Sequence, residues 1–384
     1  MIEATIENGV LIRYYGTDSE VTVPTGITEI GDEAFSDHGE IEAITLPEGL
    51  LKIGDNAFFN CVKLKKIAFP DSLEAVGKAV MSECVSLFCV SIGRGLTEIS
   101  DWMFQGCAAL SGIVLPDNVK RIGELAFSDC VNLVSIRFGA GVEKINEYSF
   151  SRCLTLREIT VSPDNPYYSS INGMLFSKDG SILVKYPVGR TERTVTVPHT
   201  VKTVSARAYE GCSAMTELNV PDNVEMLGKR AFEGCRSLRR VVLPPKLSDI
   251  GDGAFSCYKT VKAFVVRGII TFEALSKEIK EHVLRSFMVR FYGRETDETE
   301  NAVIAAYVKM HFYDISKFFD NSKEFLIFAL ENGAVPFSEI DGLMECAEEV
   351  EIKALLLEYK NNVGRSRANM TNEIERLSVE VFGE

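Results

Sequence analysis

Cysteine recurs every 23 residues through most of this chain. Cys61, Cys84, Cys107, Cys130 and Cys153 keep the step, and Cys212 and Cys235 resume it. A phenylalanine slot three positions earlier runs in phase at 35, 58, 81, 104, 127, 150, 209, 232 and 255. Met81 and Tyr209 are its substitutions, and His38 takes the first cysteine slot. Ile-Gly pairs at Ile30-Gly31, Ile53-Gly54, Ile122-Gly123 and Ile250-Gly251 share the beat. A fixed period of this length predicts a solenoid, in which one short unit is stacked many times and buries its apolar face only against its neighbours. Most apolar residues are thereby assigned to packing before any site is sought.

Written out, the unit is L-x-x-I-x-L-P-x-x-V-x-x-I-G-x-x-A-F-x-x-C, complete from Leu110 to Cys130. Its I-x-L step alternates in and out, as a short strand must, and Pro116 ends the ladder because it lacks a donor. Val119 and Ile122 begin a second extended segment, and Gly123 reads as the relief of a tight turn. Ala126-Phe127-x-x-Cys130 then reads as a compact or single helical turn that buries ring and thiol. Periodic cysteines of this kind are expected inside the stack as small, inert apolar groups.

The beat breaks between Cys153 and Cys212. There Asn172-Gly173-Met174-Leu175-Phe176 echoes Asn8-Gly9-Val10-Leu11-Ile12, and Asn-Gly before alternating apolar residues is a hairpin signal. Residues 1–24 therefore read as a hairpin cap, and 160–198 as a hairpin-bearing insertion. Periodicity ends after Cys257. From Thr271 the spacing turns helical, through Leu275, Ile279, Val283 and Phe287. Further helices are expected at 298–311, 313–319, 322–332, 338–348, 350–361 and 369–382. The domain reading is a solenoid over 1–267 and a helical domain over 268–384.

The recurrent L-x-x-I-x-L-P and I-G-x-x-A-F-x-x-C, as in Leu64 to Ala79 and Leu133 to Tyr148, resemble the BspA-like class of leucine-rich repeats over about residues 20 to 265. The resemblance implies a right-handed, β-rich leucine-rich-repeat solenoid with repeats of about 23 residues, followed here by an all-α domain. It also implies protein binding, since members are typically bacterial surface or secreted proteins that bind other proteins, including host matrix proteins. Gly333-Ala334, Leu343, Ala347, Val350 and Leu355-Leu356 resemble a degenerate ankyrin helix pair, without the Thr-Pro-Leu-His core.

Charge and composition narrow the function. A net charge of −14 argues against a nucleic-acid surface, which needs clustered Lys and Arg. No apolar run reaches the about 18 residues that would suggest a membrane span. Met1 to Thr5 show neither a basic nor an apolar leader region, which reads as cytoplasmic, with a surface or secreted protein whose leader was removed as the alternative. Four histidines, His38, His199, His282 and His311, have no metal-ligand spacing, and no C-x-x-C pair occurs. Gly77-Lys78 and Gly228-Lys229 lack the rest of a phosphate loop. Asp117-Asn118 and Asp222-Asn223 read as turn formers rather than calcium ligands. No cofactor, metal or catalytic residue is expected.

Two rows are free of packing demands. The outward strand positions include Lys66, Ser91, Val114, Arg137, Glu158, Glu217 and Arg240, a ribbon that is small and nearly uncharged in its middle. The slot before each Ala-Phe holds Ala79, Trp102, Leu125 and Tyr148 in consecutive turns, an apolar stripe carrying the only tryptophan. Such stripes are typical interaction surfaces; the competing reading folds these side chains down over the next turn or under the hairpin. The functional expectation is a non-enzymatic scaffold binding a protein partner of unknown identity, with self-association open. A surface adhesin is the alternative, and an enzyme in the helical domain the second alternative.

Overall fold

The structure is a computed structural model that describes residues 2–320, 322–347, 349–350 and 352–364. The chain forms two compact units. One holds the residues up to Val241 together with Leu247–Val261, and the other holds Val242–Lys246 and the chain from Lys262 onward.

The first unit is a β-solenoid, and with the strand at Ala263–Val266 the chain makes about 11 turns of 23-residue spacing. Each turn carries a main strand of three or four residues and a short strand of two, both parallel to their counterparts one period away. On the main side Glu20 pairs with Ala43, Ala43 with Lys66 and Lys66 with Cys89, then Gly112 with Ser135 and Ser135 with Glu158. On the short side Glu29 pairs with Lys52, Glu98 with Arg121 and Thr203 with Met226. The register equals the sequence period, so every interior position meets its own kind.

The third side carries no strand, yet it forms a ladder too. Glu33, Phe35 and Asp37 each donate their N–H to the next turn, to Asp55, Ala57 and Phe59 O at 2.7–2.9 Å. Asn56, Phe58 and Asn60 repeat this onto Lys78, Val80 and Ser82. Glu33 and Asp37 have φ of 55° and 62°, and Asn56 and Asn60 have 54° and 55°. Of the two turns expected from sequence, the Ala-Phe segment is therefore the compact one and not the single helical turn. A helix would turn its N–H groups along its own axis, whereas left-handed residues here aim alternate N–H groups at the neighbouring turn.

Rings and thiols line the interior behind this side. Tyr14, Phe35 and Phe58 lie 5.2 Å apart in sequence, Phe104, Phe127 and Phe150 follow at 5.5 and 5.7 Å, and Tyr186, Tyr209, Phe232 and Phe255 at 4.9–5.1 Å. Thiols of successive turns donate to the carbonyl of the preceding turn's ring residue: Cys61 to Phe35, Cys84 to Phe58, Cys107 to Met81, Cys130 to Phe104, all at 3.1–3.2 Å. That oxygen also accepts the N–H three residues on in its own turn, as Phe58 O does from Cys61, so the thiol adds a second hydrogen bond that alanine or valine could not make. All ten cysteines are free thiols. Burial pushes the Cys153 and Cys212 thiols up to about 12.

The Ile-Gly glycine also has a different cause from the one expected. Gly123 is not left-handed. A Cβ there would stand 2.5 Å from Asp101 Oδ1 and 2.7 Å from Asp101 N in the preceding turn. That carboxylate accepts the N–H of Glu124 at 2.9 Å, as Asp32 accepts that of Asp55 and Asp55 that of Lys78. Close approach of two turns, not turn conformation, excludes a side chain.

Residues 168–190 contain a complete, altered turn. Tyr168–Ile171 and Met174–Ser177 form a hairpin around Asn172-Gly173, Met174–Ser177 pairs antiparallel with Ile182–Lys185, and Ile182–Lys185 pairs parallel with Thr203–Val204. Tyr186 then occupies the ring column, one 23-residue step before Tyr209. The N-terminal hairpin is built alike: Ala4–Glu7 pairs with Val10–Tyr14, which pairs with Glu29–Ile30 and sets Tyr14 under Phe35.

The second unit is helical: α1 (Ile269–Ala274), α2 (Lys277–Tyr292), α3 (Glu298–Met310), α4 (Phe312–Phe318), α5 (Lys323–Glu331), α6 (Ile340–Cys346) and a further helix at 352–364. The single helix expected from Thr271 is two, because Leu275 and Ser276 are extended, with ψ of 148° and 159°. Asp297 caps α3 by accepting the Glu300 N–H at 2.8 Å. Phe272, Val283, Phe287, Ile304, Phe328 and Leu356 are buried in its core. The expected helix at 369–382 lies outside the described residues.

Candidate functional site

Three of the four stripe residues occupy a left-handed slot, and Tyr148 instead donates its N–H to Asn146 Oδ1 at 2.9 Å. Ala79, Trp102 and Leu125 have φ of 53°, 58° and 52°, as do Arg207 and Arg230 at 54° and 53° in the same row. Forcing a non-glycine residue into this region costs about 1 kcal/mol, offset by the ladder bond that its N–H makes: Ala79 to Asp101 O at 2.9 Å, Trp102 to Glu124 O at 2.8 Å. The side chains leave the stack at its edge, and Ala79, Trp102, Leu125 and Tyr148 are all half-buried. Each aromatic lies beneath a cation. Lys78 Nζ stands 5.4 Å from the Trp102 ring and 3.4 Å from Asp101, while Arg207 lies 4.4 Å over Tyr148 and is held by Glu210 and Glu233 at 2.6 and 2.8 Å. Neither extreme of the sequence reading describes the stripe.

The ribbon positions face outward. Lys66, Ser91, Arg137, Glu158 and Arg240 are exposed, Val114 is 62% exposed, and Glu217 is half-buried beside Arg240 at 3.2 Å. The ribbon is nevertheless not one continuous sheet. One ladder ends at Cys89–Ser91, a second runs from Gly112–Leu115 to Glu158–Val161, and a third starts at Thr194–Thr196. The hairpin causes the second interruption, because its tip takes the edge of Glu158–Val161: Ile159 N donates to Gly173 O at 2.9 Å and Val161 N to Ser170 Oγ at 3.1 Å.

Two further exposed rows escaped the sequence reading. The position after each cysteine holds Val62, Val85, Ala108, Val131 and Leu154 in five consecutive turns, with Val85 and Leu154 exposed. Three residues later stand Phe88 and Val134, 54% and 43% exposed. The signal was present as an apolar residue after each of these five cysteines, but it merges with the interior pattern when no face is assigned. Cys89, exposed and free, sits among them.

Buried polar groups gather where the altered turn enters. Lys185 is buried and donates to Arg207 O at 2.9 Å, and burial holds its amine below the usual lysine value. The Tyr209 hydroxyl is buried without a hydrogen-bond partner among the described residues. Asn118, Asn165 and Asn223 cap carbonyls of the preceding turn, Asn165 reaching Gly139 O and Val142 O at 3.1 and 2.9 Å. Asp117 accepts the Ala140 N–H at 2.7 Å. His38 packs on Tyr14 with its Nδ1 3.0 Å from Ser36 O, and His311 pairs with Glu273 at 3.1 Å. Among the described residues no group of three or more His, Cys, Asp or Glu could hold a metal ion, and no helix is long and apolar enough to cross a membrane.

A family profile described as the BspA type leucine-rich repeat region matches in six copies, over residues 14–134, 97–183 and 191–280. The chain belongs to the BspA-type leucine-rich-repeat family. Among solved structures, this leucine-rich-repeat chain is similar to a leucine-rich cell-surface protein of Faecalibacterium prausnitzii, 25% identical, with a TM-score of 0.50 over 67% of this chain and 83% of that one. A leucine-rich-repeat protein of Eubacterium ventriosum is 19% identical, with a TM-score of 0.49 over 73% of this chain and 79% of that one. No curated protein matches. Leucine-rich-repeat proteins are generally non-enzymatic interaction or surface proteins.

Proposed function

We propose that this leucine-rich-repeat protein is a non-enzymatic scaffold that binds a protein partner through the outward surface of its repeats. The observation that carries the reading is the main-strand face, where exposed Ser91 and Val114 lie in a stretch with no charged side chain although a quarter of the chain is charged. Packing demands nothing of these positions, so an uncharged surface there needs another reason. The half-buried Trp102 and Tyr148 form a second candidate surface. The test is capture of a defined partner by the wild-type chain. Ser91→Glu with Val114→Glu should weaken it at least tenfold and leave the melting curve unchanged. Capture that survives both this variant and Trp102→Ala with Tyr148→Ala would remove the reading.

A second reading, a surface adhesin binding host proteins, draws on the similarity to the Faecalibacterium cell-surface protein. Protease treatment of intact cells separates the two. A surface protein is trimmed under those conditions, and an internal scaffold is protected until lysis.

A further inference from the structure

We propose that the outward face of the turns around Val114 is the docking surface for an acidic peptide segment of a partner protein, apolar at its centre and carrying carboxylates on both sides. This rests on the scaffold reading and names the chemistry of the partner.

Three consecutive turns supply the centre. Residues 84–93, 107–116 and 130–136 contain no charged side chain. Val85, Phe88, Cys89, Val114 and Val134 among them are exposed and apolar or weakly polar, and the other exposed members, Ser91, Ser111 and Asn132, are uncharged. The patch also spans the place where the main ladder is interrupted, between Cys89–Ser91 and Gly112–Leu115. Charge depletion at the centre with charge at the rim is the composition of a protein-binding surface.

The rims decide the partner. In the turn before the patch, Lys63 and Lys65 are neutralised by Glu40 and Glu42 at 2.8 and 2.6 Å, but Lys66 makes no ion pair among the described residues. In the turns that close the other side, Arg137 and Arg157 are likewise exposed and make no ion pair among the described residues, and Arg152 is held by Asp129 at 2.8 Å. Glu158 adds an exposed carboxylate to that rim. Three ladder steps of about 4.8 Å separate the strand of Lys66 from that of Arg137, so the two cationic rims stand about 14 Å apart. A chain of net charge −14 thus presents uncompensated cations on both sides of an apolar strip, and the complementary ligand carries carboxylates on both sides of an apolar stretch. A second copy fits less well, because a self-complementary contact lays cationic rims on one another. A nucleic acid would leave the apolar centre unused.

The test is a peptide-display selection against the full chain carrying Cys346→Ser, followed by fluorescence anisotropy on the enriched peptides. Enriched peptides should carry Asp or Glu on both sides of apolar residues. Val114→Asp should weaken them at least tenfold, and Arg137→Glu with Arg157→Glu should do the same while flattening the salt dependence. Alkylation of Cys89 by a bulky maleimide, which needs no change to the interior, should block binding. Peptides that bind but show no acidic excess and ignore the charge reversal overturn this inference while leaving the scaffold reading intact. Failure to enrich any peptide, or competition only at Trp102, overturns it as well. So does a dimer seen by light scattering that Val114→Asp dissolves, which would assign the patch to a second copy.

Discussion

In the turns from Asp32 to Cys153 the column just before each ring holds Ala34, Ala57, Val80, Met103, Ala126 and Ser149, whereas the turn at 168–190 puts Lys185 there. The ring slot changes from phenylalanine to Tyr186 and then Tyr209, and the thiol slot from Cys153 to Gly189. Both regions still stack rings about 5 Å apart, at 5.7 Å between Phe127 and Phe150 and 4.9 Å between Tyr186 and Tyr209. The regular turns are closed by apolar contact and thiol-to-carbonyl bonds; the altered turn is closed by an amine, a guanidinium and carboxylates. A stack tolerates this because each turn touches only its neighbours, so an irregular turn carries its cost locally. The lesson is that the period constrains spacing, not chemistry, wherever a turn's own carbonyls and acids can satisfy a polar intruder.

The largest effect should come from breaking a regular turn. Phe127 is fully buried, with rings at 5.5 and 5.7 Å on either side. Phe127→Ala should cost about 3–5 kcal/mol by urea unfolding, from lost burial plus the cavity left behind. An effect below about 1 kcal/mol would mean that the columns are loosely packed.

Alkaline pH should pull the two regions in opposite directions. Thiols raised by burial, Cys153 and Cys212 to about 12 among them, contribute stability that is fully present below the unfolded thiol's value of about 8.5 and lost as pH rises toward the folded one. Lys185 is depressed by burial, so its contribution runs the other way, and stability is regained as pH climbs toward the ordinary lysine value of about 10.4. Melting temperature should fall above about pH 8.5, and it should fall more steeply in Lys185→Met, which lacks the opposing gain. Parallel curves for the two proteins would remove Lys185 from the interior.

A smaller change should restore the regular ring in the turn that follows the altered one. Tyr209→Phe deletes a buried hydroxyl that has no hydrogen-bond partner among the described residues and restores the phenylalanine found one turn on, at Phe232. We expect stability to rise by about 1 kcal/mol. A loss of that size would reveal an ordered water on the hydroxyl.

The smallest effect belongs to the surface of the regular turns. Lys78→Ala uncovers the half-buried Trp102 ring and should change stability by less than about 1 kcal/mol, yet raise the quenching of Trp102 by acrylamide. Fluorescence that is fully protected in both proteins would return the stripe to the core.

Much of the solenoid could be read from residues alone, because stacking at a fixed register makes each interior column a column in the sequence. Cys61 to Cys153 and Phe35 to Phe150 needed only counting. Tyr186 was legible on the same grounds, one period before Tyr209, but the longer spacing from Phe150 hid it. The division of the expected first helix at Leu275 and Ser276 was not legible, since Leu275 continues the apolar spacing and Ser276, a common N-cap, is also tolerated on a solvent-facing helix position. Among the candidate surfaces, the outward positions of Lys66 to Arg240 followed from strand alternation. That the ribbon is cut at Gly173 did not, because the cut depends on a hairpin tip meeting a strand edge from a different turn.

By itself the sequence determined the period, the strand positions, the interior columns and the change to helix after Cys257, all of which follow from local spacing repeated in register. Only the tertiary structure decided what each repeated residue is for. The cysteine adds a hydrogen bond to a carbonyl 26 positions earlier, and the glycine admits an aspartate from the preceding turn. The residue before Ala-Phe is there to aim an N–H across the stack from a left-handed backbone. These roles depend on contacts between turns, and a recurring letter records that such a contact recurs without recording which atoms make it.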